Sequence, residues 1–222
     1  MIRIENLSKS FATKSVRKVI VENLTAEFPT GSSVALLGRN GAGKSTLLQL
    51  LAGTIRPDRG RVLSTGSISY PVGFAGSFSP DMTGLQNARF VARLYGVDTD
   101  ELVDFVEDFA ELGPHFNMPF RSYSSGMRSR LSFGVSMAIP FDTYLVDEVT
   151  SVGDGAFREK SMQVFERRRE TSSAIVVTHS PRMVREICDS GAVLEGGKLH
   201  LYDDLETALE HHNRALRAPL KA

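Results

Sequence analysis

Residues 38–45 read Gly-Arg-Asn-Gly-Ala-Gly-Lys-Ser, and no other stretch restricts the fold of this chain as tightly. They fit G-x-x-x-x-G-K-[ST] and stand between an apolar run, Ser33–Leu37, and the stretch KSTLLQLLAG, which reads as a helix from Lys44 closed by Gly53. Average residue usage puts a chance match in such a chain at about 1%. Glycines let backbone N–H groups turn inward around an anion, and the helix that follows adds its positive dipole end. The pattern therefore predicts nucleotide phosphates held by Gly38, Asn40, Gly41, Ala42, Gly43, Lys44, Ser45 and Thr46. Lys44 is expected to reach the β- and γ-phosphates, and Ser45 to place its hydroxyl on Mg²⁺.

The rest of the chain suits a loop of that kind. Ile2 and Ile4 oppose Arg3 and Glu5, and Leu24, Ala26 and Phe28 oppose Asn23, Thr25 and Glu27, which predicts half-buried antiparallel strands. The runs 144–146 and 174–177 are short and apolar, each followed by helical texture, as in a parallel sheet covered by helices. Helices over about 85–138 interrupt this α/β pattern, the third starting at Ser124 or Ser125. In ELVDFVEDFAEL, Glu101, Asp104, Glu107, Asp108 and Glu111 share one face, read as solvated rather than as a cation site. The strand at 144–146 ends in Asp147-Glu148, and strand C-termini are where open α/β sheets hold ligands. Asp147 is expected to ligate Mg²⁺, and Glu148 to orient or deprotonate the attacking water.

Composition excludes several classes. Lys+Arg and Asp+Glu are 26 each, so no bulk polycation favours nucleic acid as a partner. One cysteine, Cys188, excludes an internal disulfide, suits a reducing compartment and is expected in the core. His211-His212 is expected at the surface rather than as a metal pair. The first residues lack the apolar core of a signal peptide, and no 18-residue apolar run is long enough to span a membrane. A soluble, intracellular, single-domain chain is the expectation.

Four further features carry a family resemblance. Tyr123-Ser124-Ser125-Gly126-Met127 resembles the signature motif of ABC ATPases, usually Leu-Ser-Gly-Gly-Gln, about twenty residues before the acidic strand. Ser151-Val152-Gly153-Asp154 is similar to that family's D-loop, His179 to its switch histidine, and Phe11 stands where the family stacks an aromatic on adenine. The resemblance implies an ABC-type phosphate-loop NTPase. Its RecA-like parallel-sheet core would carry an N-terminal antiparallel β part and an inserted helical subdomain, all within one domain over 1–222. It also implies ATP as substrate and a homodimer in which Ser124, Ser125 and Gly126 of one chain meet the nucleotide held by the other. Lys44, Glu148 and His179 are its implied catalytic residues.

The stretches at 71–73, 90–95 and 123–131 look very like bacterial capsular-polysaccharide exporter ATPases. That likeness implies a polytopic inner-membrane permease and envelope export proteins as partners, with the polysaccharide cargo contacting the permease. It places the chain peripherally on the cytoplasmic face of a Gram-negative inner membrane. An exporter of teichoic acid, O-antigen, drug or heme is the alternative, and a non-transport ABC ATPase a further one. The sequence departs from the family at Tyr123, Ser125, Met127 and Val149. It also has no clear glutamine in the loop before the helical insertion, where Ser79 stands near the expected place and Gln86 comes too late. Phe74 and Phe78 in that loop are candidate exposed aromatics for docking the permease, set against the alternative that both belong to the core.

Overall fold

In the computed structural model, which describes residues 1–12, 17–73, 78–147, 155–178 and 180–217, the N-terminal alternation becomes an antiparallel ladder. β1 (Ile2–Ala12) is its central strand, between β2 (Arg17–Phe28) and the later β4 (Arg59–Ser64). Ile2 pairs with Phe28 and Ile4 with Ala26, and all four side chains are buried. β2 starts earlier than the alternation at 24–28 suggests. Its first half continues the pairing, with Phe11 opposite Lys18 and Ser10 opposite Val19.

The second sheet has the order β5-β6-β7-β3-β8-β9. Its strands are β3 (Ser33–Leu37), β5 (Ile68–Pro71), β6 (Thr143–Asp147), β7 (Ser173–Val177), β8 (Ser190–Glu195) and β9 (Lys198–Tyr202). The first five in that order run parallel, and β9 pairs antiparallel with β8. β3 and β7 are buried at every position, which is why they read as unbroken apolar runs. α1 (Lys44–Leu51) inserts Leu47, Leu48, Leu50 and Leu51 into one core with Ile4 and Phe28 from the ladder and Leu145, Ile175 and Leu194 from the parallel sheet. Each buried leucine contributes roughly 1.5–3 kcal/mol, so the helix behind the phosphate loop is firmly seated.

The chain resolves into two compact units, one of 1–71, 141–148 and 169–222, the other of 72–140 and 149–168. Both sheets belong to the first. There α6 (Pro181–Ile187) follows β7, and α7 (Leu205–Arg217) lies on β8, where a Cβ on Gly191 would overlap that of Ala208. Cys188 is buried, as its type predicts. His211 is not a surface residue. It is half-buried, with Nδ1 2.8 Å from the Tyr202 hydroxyl and Nε2 3.2 Å from Glu195.

The second unit holds α2 (Gly84–Tyr95), α3 (Thr99–Ala110), α4 (Ser125–Ala138) and nearly all of α5 (Gly155–Arg169). It thus takes in a helix beyond the 85–138 stretch. Each of its first three helices is started by an oxygen-bearing cap: Thr83, Asp98 and Ser124. Gly134 lets α4 lie against Phe109 of α3, which stacks on Phe133. The five carboxylates between Glu101 and Glu111 are exposed, and Glu111, which caps α3, pairs with Lys160 at 2.7 Å and Arg130 at 3.6 Å. No acidic, His or Cys cluster among the described residues has metal-binding geometry. Of the two readings of Phe78, docking surface or core, the structure supports the core: only 8% exposed, it packs edge-to-face on Phe120 at 5.3 Å. Phe74 lies outside the described residues.

Candidate functional site

The turn between β3 and α1 is built by glycines that other residues could not replace. Gly43 has φ +108°, and a Cβ there would sit 2.5 Å from the Ile20 Cγ2. Gly38 passes so close to β8 that a Cβ would lie 2.7 Å from the Leu194 carbonyl oxygen. Gly43 is also the N-cap of α1, and having no side chain it leaves the first-turn amides of the helix uncapped by any side-chain oxygen. Inside the turn, the Ala42 N–H donates to the Arg39 carbonyl at 3.0 Å. The Lys44 ammonium bridges the same loop, donating to the carbonyls of Gly38 at 2.7 Å and Arg39 at 3.3 Å.

This loop opens on a cleft of about 430 Å³, lined by Asn40, Gly41, Gly43, Lys44, Ser45, Thr46, Asp147 and Val177 together with Lys18 and Ile20. Six of the eight expected phosphate-loop residues therefore share one cavity with the carboxylate at the end of β6. Gly38 lies buried behind the loop, and Ala42 serves its internal turn. A hydroxyl and a carboxylate, Ser45 and Asp147, face the same space. They are the hard oxygen donors that a small divalent cation prefers, so the residues present fit Mg²⁺. Two ammonium groups, Lys44 and Lys18, lend the cleft positive charge suited to phosphate.

Lys18 and Ile20 escaped the sequence reading because neither belongs to a contiguous motif. β2 brings them over the loop, with the Lys18 ammonium 3.6 Å from where a Gly41 Cβ would stand. Phe11 does not line the cleft. It is 47% exposed on β1, with the Lys9 ammonium 5.3 Å from its ring centre, but it is the strand partner of Lys18, which does line it. Glu148, His179 and the 151–154 segment lie outside the described residues.

Ser124, Ser125 and Gly126 belong to the second unit and begin α4. The Ser124 hydroxyl accepts the Met127 N–H at 3.3 Å. Ser124 and Ser125 are exposed, and a Cβ on Gly126 would meet nothing nearer than the Ser124 Oγ at 4.0 Å. Tyr123, where the resembling family has leucine, is buried. Its hydroxyl donates to the His115 carbonyl at 2.7 Å, and burial raises its phenol above the usual range.

Gln86 is engaged as the third helical residue of a capping box, its Oε1 accepting the Thr83 N–H at 2.9 Å. Ser79 is tied to the buried Asn87, which bonds both its N–H and its carbonyl. Asn87 further donates to the carbonyls of Met82 and Thr83, so one amide fixes the whole turn before α2. Nothing in the sequence singled it out.

Comparison with known proteins agrees with this geometry. The family model described as ABC transporter matches residues 21–151. The polysialic acid transport ATP-binding protein KpsT of Escherichia coli is 48% identical over 215 residues, covering 96% of each chain. The capsule polysaccharide export ATP-binding protein CtrD of Neisseria meningitidis serogroup B is 41% identical over 96% of this chain and 99% of its own. Among solved structures, the ATP-binding cassette MJ0796, as a post-hydrolysis dimer bound to ADP and Pi, shares the fold. Its TM-score is 0.75 at 22% identity, over 90% of this chain and 97% of that one. With its phosphate-loop cleft and a family match over more than half its length, the chain belongs to the ABC transporter family, as one of its ATP-binding cassettes.

Proposed function

We propose that this chain is the ATP-hydrolysing subunit of an exporter that moves a capsular polysaccharide across the inner membrane of a Gram-negative bacterium. The observation that carries the reading is the convergence of the phosphate loop and Asp147 on one cleft, in a chain matching capsule-export relatives end to end. Lys44 and the loop bind the β- and γ-phosphates. Ser45 and Asp147 would hold Mg²⁺, which when bound would neutralise charge on the phosphates. Glu148 orients the attacking water and takes its proton, His179 contacts the γ-phosphate, and Phe11 stacks on the adenine. Ser124, Ser125 and Gly126 close on the nucleotide of a second copy, where a helix N-terminus suits a γ-phosphate.

The homodimer works beneath a polytopic permease, which contacts the polymer and passes it to envelope export proteins. With Phe78 in the core, the permease contact falls to the apolar residues that α2 leaves exposed, Phe90 and Leu94, four residues apart on one face.

The test is ATPase activity and ATP affinity in the purified protein, with polymer location in cells. Lys44→Ala should abolish both binding and turnover. Glu148→Gln should bind ATP, accumulate the dimer and hydrolyse ~10²–10⁴-fold more slowly. Replacing the gene with either variant should leave polymer in the cytoplasm, and so should Phe90→Ser combined with Leu94→Ser, this time with ATPase activity intact. Normal export by the Lys44→Ala strain would refute the reading.

A further inference from the structure

The phosphate loop has an attachment that its motif does not require. Arg39 is one of the variable positions of the loop, and its side chain leaves the cleft to meet the far end of the chain. Its Nη1 donates to the carbonyls of Ala215 at 2.9 Å and Leu216 at 3.0 Å. These are carbonyls of the last turn of α7, the negative end of a 13-residue helix, where a guanidinium is well placed. The Arg39 backbone is equally committed. Its carbonyl accepts both the Ala42 N–H and the Lys44 ammonium, so the residue that closes the loop is the one clamped to α7. The body of α7 is independently fixed by the close approach of Ala208 to Gly191 and by His211 between Tyr202 and Glu195. Gly38 abuts the carbonyl of Leu194, the residue before Glu195.

We propose that the last turn of α7 is a positioning element for the nucleotide site: through Arg39 it holds the phosphate loop in its binding conformation before ATP arrives. The proposal rests on reading the cleft as the ATP site. A loop released from α7 samples other conformations, and apparent affinity falls in proportion to the fraction still competent. Once bound, the phosphates themselves order the loop, so turnover of the complex is spared. Coupling of this kind is reciprocal, so ATP in turn steadies the last turn of α7.

The full-length chain is compared with Arg39→Met, which keeps the aliphatic stem but no donor, and with Arg39→Lys. Both bonds come from a single nitrogen, so a lysine ammonium of sufficient reach restores them. Measured are ATP affinity in EDTA, KM and kcat for ATP, melting temperature, and hydrogen exchange over 212–217 with and without ATP. Arg39→Met is expected to raise Kd and KM about three- to tenfold, the scale of one ordinary net hydrogen bond, with kcat within about twofold. Arg39→Lys should lie within about twofold of wild type. ATP should slow exchange over 212–217 in wild type and in Arg39→Lys, but not in Arg39→Met.

A Met variant that melts lower but binds ATP as wild type does would make Arg39 a structural strut and overturn the proposal. So would ATP leaving exchange over 212–217 unchanged in wild type, a measurement that needs no variant to fold. Wild type failing to bind ATP at all removes the nucleotide reading itself. Wild type binding ATP while Arg39→Met binds it equally removes only this inference.

Discussion

Gly43→Ala is the most informative single change in the phosphate loop, because the structure separates its two costs. An L-residue at φ +108° pays roughly 1–2 kcal/mol for a left-handed backbone. The new methyl would also lie 2.5 Å from Ile20 Cγ2, an overpacking worth about 1–3 kcal/mol. Together they predict about 2–5 kcal/mol lost, or about 4–20 °C in melting temperature for a chain of this size. Ile20→Ala on its own leaves a cavity and costs about 2–5 kcal/mol. The double variant removes the clash but not the backbone strain, so it should be more stable than the sum of the singles implies, by about 1–3 kcal/mol. Urea denaturation of the four proteins yields this coupling directly. ATP affinity should stay impaired in the double variant, since the strained backbone still displaces the loop. A coupling below about 0.5 kcal/mol, or a Gly43→Ala protein that melts as wild type does, would refute the argument that Ile20 shapes the loop.

Three more outcomes follow from geometry elsewhere. A Cβ at Gly126 would meet nothing nearer than the Ser124 Oγ at 4.0 Å, so Gly126→Asp should melt like wild type yet lose ATP-driven dimerisation. Mixing it with Lys44→Ala chains should restore one working composite site, and an ATP-dependent dimer of Gly126→Asp alone would discard the trans arrangement. Phe78→Ala should cost about 3–5 kcal/mol by thermal or urea melting, because it vacates a buried edge-to-face contact with Phe120. Burial, helped by the nearby Asp189, pushes the Cys188 thiol up to about 12, so at pH 8 a disulfide reagent should modify it only as fast as the native structure opens. Immediate stoichiometric labelling would contradict that burial.

The phosphate loop, the acidic strand end and the helix start at Ser124 were legible because each is a contiguous pattern with a local physical cause. Ser124 is a case in point: a serine ahead of a helix is both a cap and a signature residue, and α4 begins one residue after it. What stayed hidden depends on contacts distant in sequence. Lys18 and Ile20 reach the cleft only because β2 crosses the loop, and Arg39 finds carbonyls some 176 residues away. Phe78 is a case the sequence left between two readings. An aromatic in a Gly- and Pro-rich stretch invites a surface reading, and only Phe120, brought beside it by the turn that Asn87 fixes, reveals it as core. Asn87 carries no motif, since satisfying four backbone partners is a property of a turn rather than of a spacing.

The antiparallel ladder of β1, β2 and β4 has an implication for how this chain behaves when concentrated. A three-stranded sheet presents two outer strands whose backbone groups can template polymerisation. On β2 the Glu22 N–H is already taken by the Gly197 carbonyl at 3.1 Å. On β4 the flank carries Arg59 and Arg61, the latter held 2.8 Å from Glu5. Hydrated charged side chains along an outer strand resist burial by a second copy, so like strands are hindered from zipping together. Self-association is thereby discouraged along the sheet, leaving the proposed nucleotide sandwich without a competing edge-to-edge pairing.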